Sequence, residues 1–272
     1  MTDSGAVRLR TLFETVRAED RAALLPYLTV GIPDADSSAS MFEAMAEAGA
    51  DGFEIGIPYA DPLMDGPVIA EAAERSLASG MTIDRALEIT SDVVVSTGKP
   101  VLLMTYTNPV LYYGTERFAR AAADSGAAGL IIADLPIEEA DPFLIAASDA
   151  GLGMALFAAP TTTDERLAGI VEANPSFVYA VASLGVTGER TEGSAMGPEL
   201  ATRIRSIANV PIVAGVGIST PDQVEAAAKT ADGVIVGSAL VRRVLQAEMS
   251  EDAASSLARA VTDLREAVTR RR

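Results

Sequence analysis

The 272-residue chain has no cysteine and no histidine, and only two lysines, Lys99 and Lys229. Without cysteine there is no disulfide, thiol nucleophile or thiolate metal site, which fits a cytoplasmic protein. Without histidine there is no imidazole base and no paired-histidine metal site, so proton transfer falls to Asp, Glu or Tyr. Lys99 precedes a predicted strand and Lys229 sits in a predicted helix ahead of another. In a barrel both lie away from the catalytic face, and Schiff-base chemistry is not expected. Basic charge is scarce as well: 21 Lys and Arg stand against 38 Asp and Glu, a net charge of −17. That balance argues against nucleic acid or an anionic membrane as partner. The arginines at 270–272 read as a solvated helix end. No apolar run is long enough to cross a bilayer. The opening MTDSGAVRLRTLFETVRAED lacks the charged-then-apolar pattern of a signal peptide; Val7, Leu9, Leu12, Phe13 and Val16 instead recur at helical spacing.

What is present reads as a soluble α/β chain, 49% apolar and 22% charged, long enough to bury one substantial core. Short β-type runs are expected at Ala23–Thr29, Gly52–Ile57, Pro100–Thr105, Gly129–Ala133, Gly153–Ala158, Phe177–Ala182, Pro211–Gly215 and Gly233–Val236. Between them lie amphipathic stretches such as Ser37–Ala48, Val68–Ala78, Glu116–Ser125, Glu138–Ala150 and Glu199–Ile207. Eight strands separated by helices predict a parallel sheet, and eight is the number that closes a (β/α)8 TIM barrel. One such domain over 1–272 is expected, with an extra N-terminal helix at residues 6–18 across the barrel bottom. An open doubly wound sheet is the structural alternative.

The segment DGFEIGIPYADPLMDGP, residues 51–67, carries the chemistry. Phe53, Ile55 and Ile57 alternate with Glu54, so a strand here puts Glu54 on the opposite face from its apolar neighbours. Asp65 follows on the loop above, just before Pro67 opens a helix. A carboxylate inside a barrel has its pKa raised by desolvation, and a second carboxylate nearby adds to that. Asp65, on a wetter loop, is expected to stay ionised. Taken singly, an inward Glu also serves internal hydrogen bonds and an Asp in this place also caps a helix. Glycines cluster after the last three strands: Gly185 and Gly188, Gly215 and Gly217, and Gly237 beside Ser238. Loops in these positions, with the N-terminus of a short extra helix, commonly hold phosphate on backbone N–H groups, although each glycine alone is also explained by a tight turn.

Together LPYLTVGIPD, FEIGIPYADPLMDGP, LLMTYTNPVLYYG, IIADLPIEE, FVYAVASLGVTG, AGVGIS and VIVGSAL resemble the tryptophan synthase alpha subunit family, in its order and over essentially the whole chain. The resemblance implies retro-aldol cleavage of indole-3-glycerol phosphate to indole and glyceraldehyde 3-phosphate. It places the catalytic pair on Glu54 and Asp65 and substrate contacts on Tyr27 and Tyr179, with Thr187 as the loop threonine that orients the aspartate. It places phosphate binding on Gly188, Gly217, Gly237 and Ser238. It also implies an alpha2beta2 heterotetramer with a beta subunit that carries pyridoxal phosphate, this chain holding no cofactor or metal of its own. Asp61, Pro62, Asn108, Pro109, Asp134, Leu135 and Pro136 would lie at the contact. A stand-alone indole-3-glycerol-phosphate lyase, another phosphate-sugar isomerase, and a non-catalytic barrel that only activates a partner are the competing readings.

Overall fold

The computed structural model describes residues 3–181, 196–215 and 217–269. Eight strands, β1 (Ala23–Thr29), β2 (Phe53–Gly56), β3 (Val101–Thr105), β4 (Gly129–Ile132), β5 (Gly153–Ala158), β6 (Phe177–Val181), β7 (Ile212–Gly215) and β8 (Gly233–Val236), close into a barrel in chain order. Every pairing is parallel, and β8 returns to β1. The strands are buried on both faces, as a parallel barrel wrapped by helices requires. Phe53 and Ile55 face outward; Phe53 meets Phe42 edge-on at 5.2 Å. Glu54, between them, faces the lumen.

The described helices are α1 (Gly5–Ala18), α2 (Ser38–Glu47), α3 (Pro67–Ala78), α4 (Ile83–Thr97), α5 (Thr107–Tyr113), α6 (Thr115–Asp124), α7 (Asp141–Asp149), α8 (Asp164–Glu172), α9 (Met196–Ile207), α10 (Pro221–Ala228), α11 (Ser238–Gln246) and α12 (Ser250–Ala267). The expected N-terminal helix is α1, and it closes the end of the barrel where the strands begin. Its Leu9, Phe13 and Val16 are buried, Phe13 lies 5.8 Å from Phe177, and Leu9 Cδ1 comes so near Gly129 and Gly153 that a Cβ there would crowd it.

Most expected boundaries hold to within a residue or so, β2 ending at Gly56 and β4 at Ile132. Pro100 and Pro211 lie outside the strands because proline has no N–H for the ladder; their carbonyls still accept from Phe53 N and Val178 N, both at 2.9 Å. Glu138–Ala150 is not one helix: a 3-10 turn, Ile137–Glu139, precedes α7. Pro142, which tolerates only the first turn of a helix, sets that start. The strand end at Ala182 lies outside the described residues. Lys99 stands just before β3, and Lys229 follows α10 ahead of β8. Both are therefore on the α1 side of the barrel, away from the ends of the strands where Glu54 and Asp65 meet.

Candidate active site

Glu54 is held at the level of Tyr27 on β1 and Leu102 on β3 by the parallel register. Above β2 the chain passes through a Pro- and Asp-rich loop in which Asp65 N–H donates to Pro62 O at 3.0 Å. Gly66, not Asp65, is the N-cap of α3. This folds Asp65 back over the barrel mouth. Tyr27, Glu54, Asp65, Tyr179, Gly217, Gly237 and Ser238 line one cavity, joined by Ile69, Met104, Ile218, Ser219 and Ile235. A larger groove of about 1030 Å³ lies at the opposite end, beside α1, but it contains none of these groups.

The two carboxylates are nearly dry. Glu54 is 3% exposed, and both Glu54 Oε2 and Asp65 Oδ1 are buried without a close hydrogen-bond partner. Burial, and then the Asp65 charge, push the Glu54 carboxyl up to about 8. Asp65 differs from expectation: burial raises it to about 6, only partly offset by the Tyr106 hydroxyl. The loop is less wet than its Pro, Asp and Gly content suggests, because it packs onto the mouth of the barrel. Asp65 is still mostly ionised at pH 7. The Tyr27 and Tyr179 hydroxyls are pushed well above their ordinary values by burial and by the carboxylates, so both stay protonated.

Close approach explains two glycines. A Cβ on Gly56 would overlap the Tyr27 hydroxyl, and one on Gly215 would overlap that of Tyr179. Each tyrosine thus packs its hydroxyl end against a neighbouring strand, and the cavity between them is small, about 50 Å³. Tyr27 shares a 3.1 Å hydrogen bond with Thr29, and Phe157 stacks on Tyr179 at 4.7 Å.

On the phosphate side, Gly217 adopts φ +82°, a conformation that strains any residue with a side chain. Gly237 is the N-cap of α11, whose first residue is Ser238. The first N–H groups of a helix lack intrahelical partners, and the helix dipole adds partial positive charge there. Ser219 N–H is already taken, donating to Gln223 Oε1 at 2.7 Å. Gly185, Thr187 and Gly188 lie outside the described residues.

A sequence-family model described as tryptophan synthase alpha chain matches residues 13–269. The chain belongs to the tryptophan synthase alpha chain family. It is 46% identical to a tryptophan synthase alpha chain of Prochlorococcus marinus, over 86% of each chain, and 44% identical to that of Mycobacterium tuberculosis, over 88% of each. Among solved structures it resembles M. tuberculosis tryptophan synthase at a TM-score of 0.89 and 39% identity, covering 98% of this chain and 99% of that one. The alpha chain from Legionella pneumophila superposes with a TM-score of 0.85 at 32% identity, covering 96% and 98%.

The residues that the alpha chain resemblance assigns to a partner contact lie around this same rim. Asp61, Asn108, Asp134 and Pro136 are exposed, and Pro62 and Pro109 half-buried. Leu135 differs, being buried at 7% exposure; its side chain joins the core between the exposed Asp134 and Pro136. Leu63, Met64, Leu111 and Tyr112, which the motifs did not single out, are exposed beside them. Sequence reading also missed Met104 and Ile235, although each continues the lumen-facing alternation of its strand. It missed Tyr106 as well, two residues beyond Met104 on the same face.

Proposed function

We propose that this chain cleaves indole-3-glycerol phosphate to indole and glyceraldehyde 3-phosphate, as the alpha subunit of tryptophan synthase in L-tryptophan biosynthesis, with Glu54 and Asp65 as its catalytic pair. The observation that carries the assignment is a buried carboxyl at about 8 facing a second at about 6, neither in an ion pair among the described residues. Near neutrality one is protonated and the other ionised, so similar groups take different roles.

Protonated Glu54 delivers its proton to indole C3, leaving positive charge on the indole nitrogen, which the Asp65 carboxylate stabilises. The Glu54 carboxylate then removes the proton from the hydroxyl on the carbon bonded to C3. The O–H electrons form the aldehyde C=O, the C–C bond breaks, and its electrons neutralise the ring. Glu54 ends protonated, as it began. Acid–base catalysis of this kind contributes about 10² to 10⁴ in rate. Tyr27 and Tyr179 wall the indole, and Thr187 orients Asp65. Gly188, Gly217, Gly237 and Ser238 hold the phosphate on backbone N–H groups and the N-terminus of α11.

The partner in this reading is a tryptophan synthase beta subunit carrying pyridoxal phosphate, in an alpha2beta2 complex in the cytoplasm. Asp61, Pro62, Asn108, Pro109, Asp134 and Pro136 form the contact, and the exposed Leu63, Met64, Leu111 and Tyr112 give it apolar surface of the kind that marks docking faces. The backbone at Leu135 contributes rather than its side chain. Residues 1–272 act as one barrel domain.

Indole release from indole-3-glycerol phosphate by the purified chain, titrated with a beta subunit, tests this. Slow release that rises and saturates with beta is expected. Fast release indifferent to beta would overturn the partner reading in favour of a stand-alone lyase, and no release in either condition would overturn the reaction.

A further inference from the structure

Tyr106 is the first residue after β3, and it is 2% exposed. Its ring packs against Tyr59 at 5.3 Å, and Tyr59 is itself held by Asn108 Nδ2, which donates to its hydroxyl at 3.1 Å. The Tyr106 hydroxyl accepts from the Met64 N–H at 3.2 Å, beside Asp65. A phenol hydroxyl has one proton to give. With a lone pair taken by the Met64 N–H, that proton is directed toward the Asp65 carboxylate, which the hydroxyl already stabilises.

We propose that Tyr106 is a positioning residue for this reaction: anchored by Met64 N–H and by Tyr59, it donates its hydroxyl proton to Asp65 and fixes the carboxylate over the barrel mouth. This rests on the reading that Asp65 stabilises charge on the substrate.

Two observations make Tyr106 suited to this. Burial and the Asp65 charge raise its own pKa, so it stays a donor across the working pH range. Asp65 Oδ1 is buried without a hydrogen-bond partner among the described residues, and the Tyr106 hydroxyl is the side-chain donor that acts on this carboxylate. The other titratable groups facing the pair are Glu54 on β2, Tyr27 on β1, Tyr179 on β6, and Asp134 after β4. Of these, the Tyr27 hydroxyl is already bonded to Thr29 at 3.1 Å, and it is the Tyr106 hydroxyl that bonds the Asp65 carboxylate.

The test compares Tyr106→Phe with the parent full chain in indole release across pH 5 to 9. Phenylalanine keeps the ring and its packing on Tyr59, and far-UV circular dichroism checks the fold. Losing a hydrogen bond to a charged group predicts kcat about tenfold lower at pH 7 with KM changed less than about twofold. It also predicts that the acid limb of the kcat profile moves upward from about 6, because the carboxylate loses a group that favours its charged form. Tyr59→Phe, which removes a hydroxyl one ring away, should leave that limb in place. A ¹³C carboxyl titration of Asp65 reads the same shift without turnover. A Tyr106→Phe protein whose acid limb and Asp65 titration stay where they were overturns the proposal, whether or not kcat falls. Asp65→Asn separates the two ideas: near-normal turnover in that variant removes the role of Asp65 itself, and the proposal with it.

Discussion

The two ends of this barrel treat buried carboxylates in opposite ways. Where the strands begin, Asp232 is 3% exposed, and its oxygens meet Arg17 at 3.4 Å and Arg205 at 3.1 Å. It also accepts from Ile212 N–H at 3.0 Å. Asp51 is clasped by both terminal nitrogens of Arg21, at 2.8 and 2.9 Å, and accepts from Leu24 N–H at 2.8 Å. Where the strands end, Glu54 is equally dry, yet it has no arginine and keeps an oxygen without a close partner. Burial is common to both ends; compensation is not. A buried charge with cation and N–H partners is a structural clip, whereas one left without them holds its proton to higher pH and becomes reactive. α1 adds to the contrast, since it fills the lower lumen with Leu9 and Phe13, whereas the upper end keeps the small cavity that Glu54 and Asp65 line.

The strongest way to break the contrast is Glu54→Gln. It should lower kcat for indole release by about 10² to 10⁴ while circular dichroism and melting show an intact fold; near-normal turnover would remove Glu54 from the chemistry. The same variant sharpens the contrast through stability. A carboxyl raised from 4.5 to about 8 on folding binds its proton more tightly in the native state. Wild-type stability attributable to Glu54 is therefore greatest below about 4.5 and is lost as pH rises through 8. Glu54→Gln should melt like wild type near pH 4.5 and gain on the order of a few kcal/mol over it by pH 9. Asp65, raised in the same direction, adds a smaller loss at lower pH that both proteins share. An equal offset between the two melts at every pH would contradict the raised value. At the other end, Asp232→Ala should cost about 2 kcal/mol in denaturant unfolding, from a lost acceptor for Ile212 N–H and two half-exposed arginine pairs. Its kcat should stay unchanged, and a matching loss of kcat would mean that the two ends are coupled.

How much of this was legible in the chain follows from range. β2 was readable because Phe53, Ile55 and Ile57 alternate with Glu54 and Gly56, a signal carried by five adjacent residues. The proposed catalytic pair, Glu54 and Asp65, was readable for the same reason, the two acids standing eleven positions apart in one motif. The settling of Asp65 near 6 was not, since it depends on a loop packing down against Tyr106, some forty residues later. Nor was the burial of Leu135, an apolar residue between exposed Asp134 and Pro136 that only the core around it accounts for. Pro142 does mark the true start of α7, standing in its first turn.

The order and number of the strands, the lumen face of Glu54, the glycines beside β7 and β8, and the family are written in the chain, because alternation and turn chemistry are local. Tertiary structure alone decided which buried acids are answered by arginine and which are left to react. Asp232 meets Arg17 across 215 positions, and Tyr106 reaches the loop of Asp65 only once β2 and β3 lie in register. Such pairings are set by closure of the barrel, which brings together side chains whose separation along the chain carries no trace of the contact.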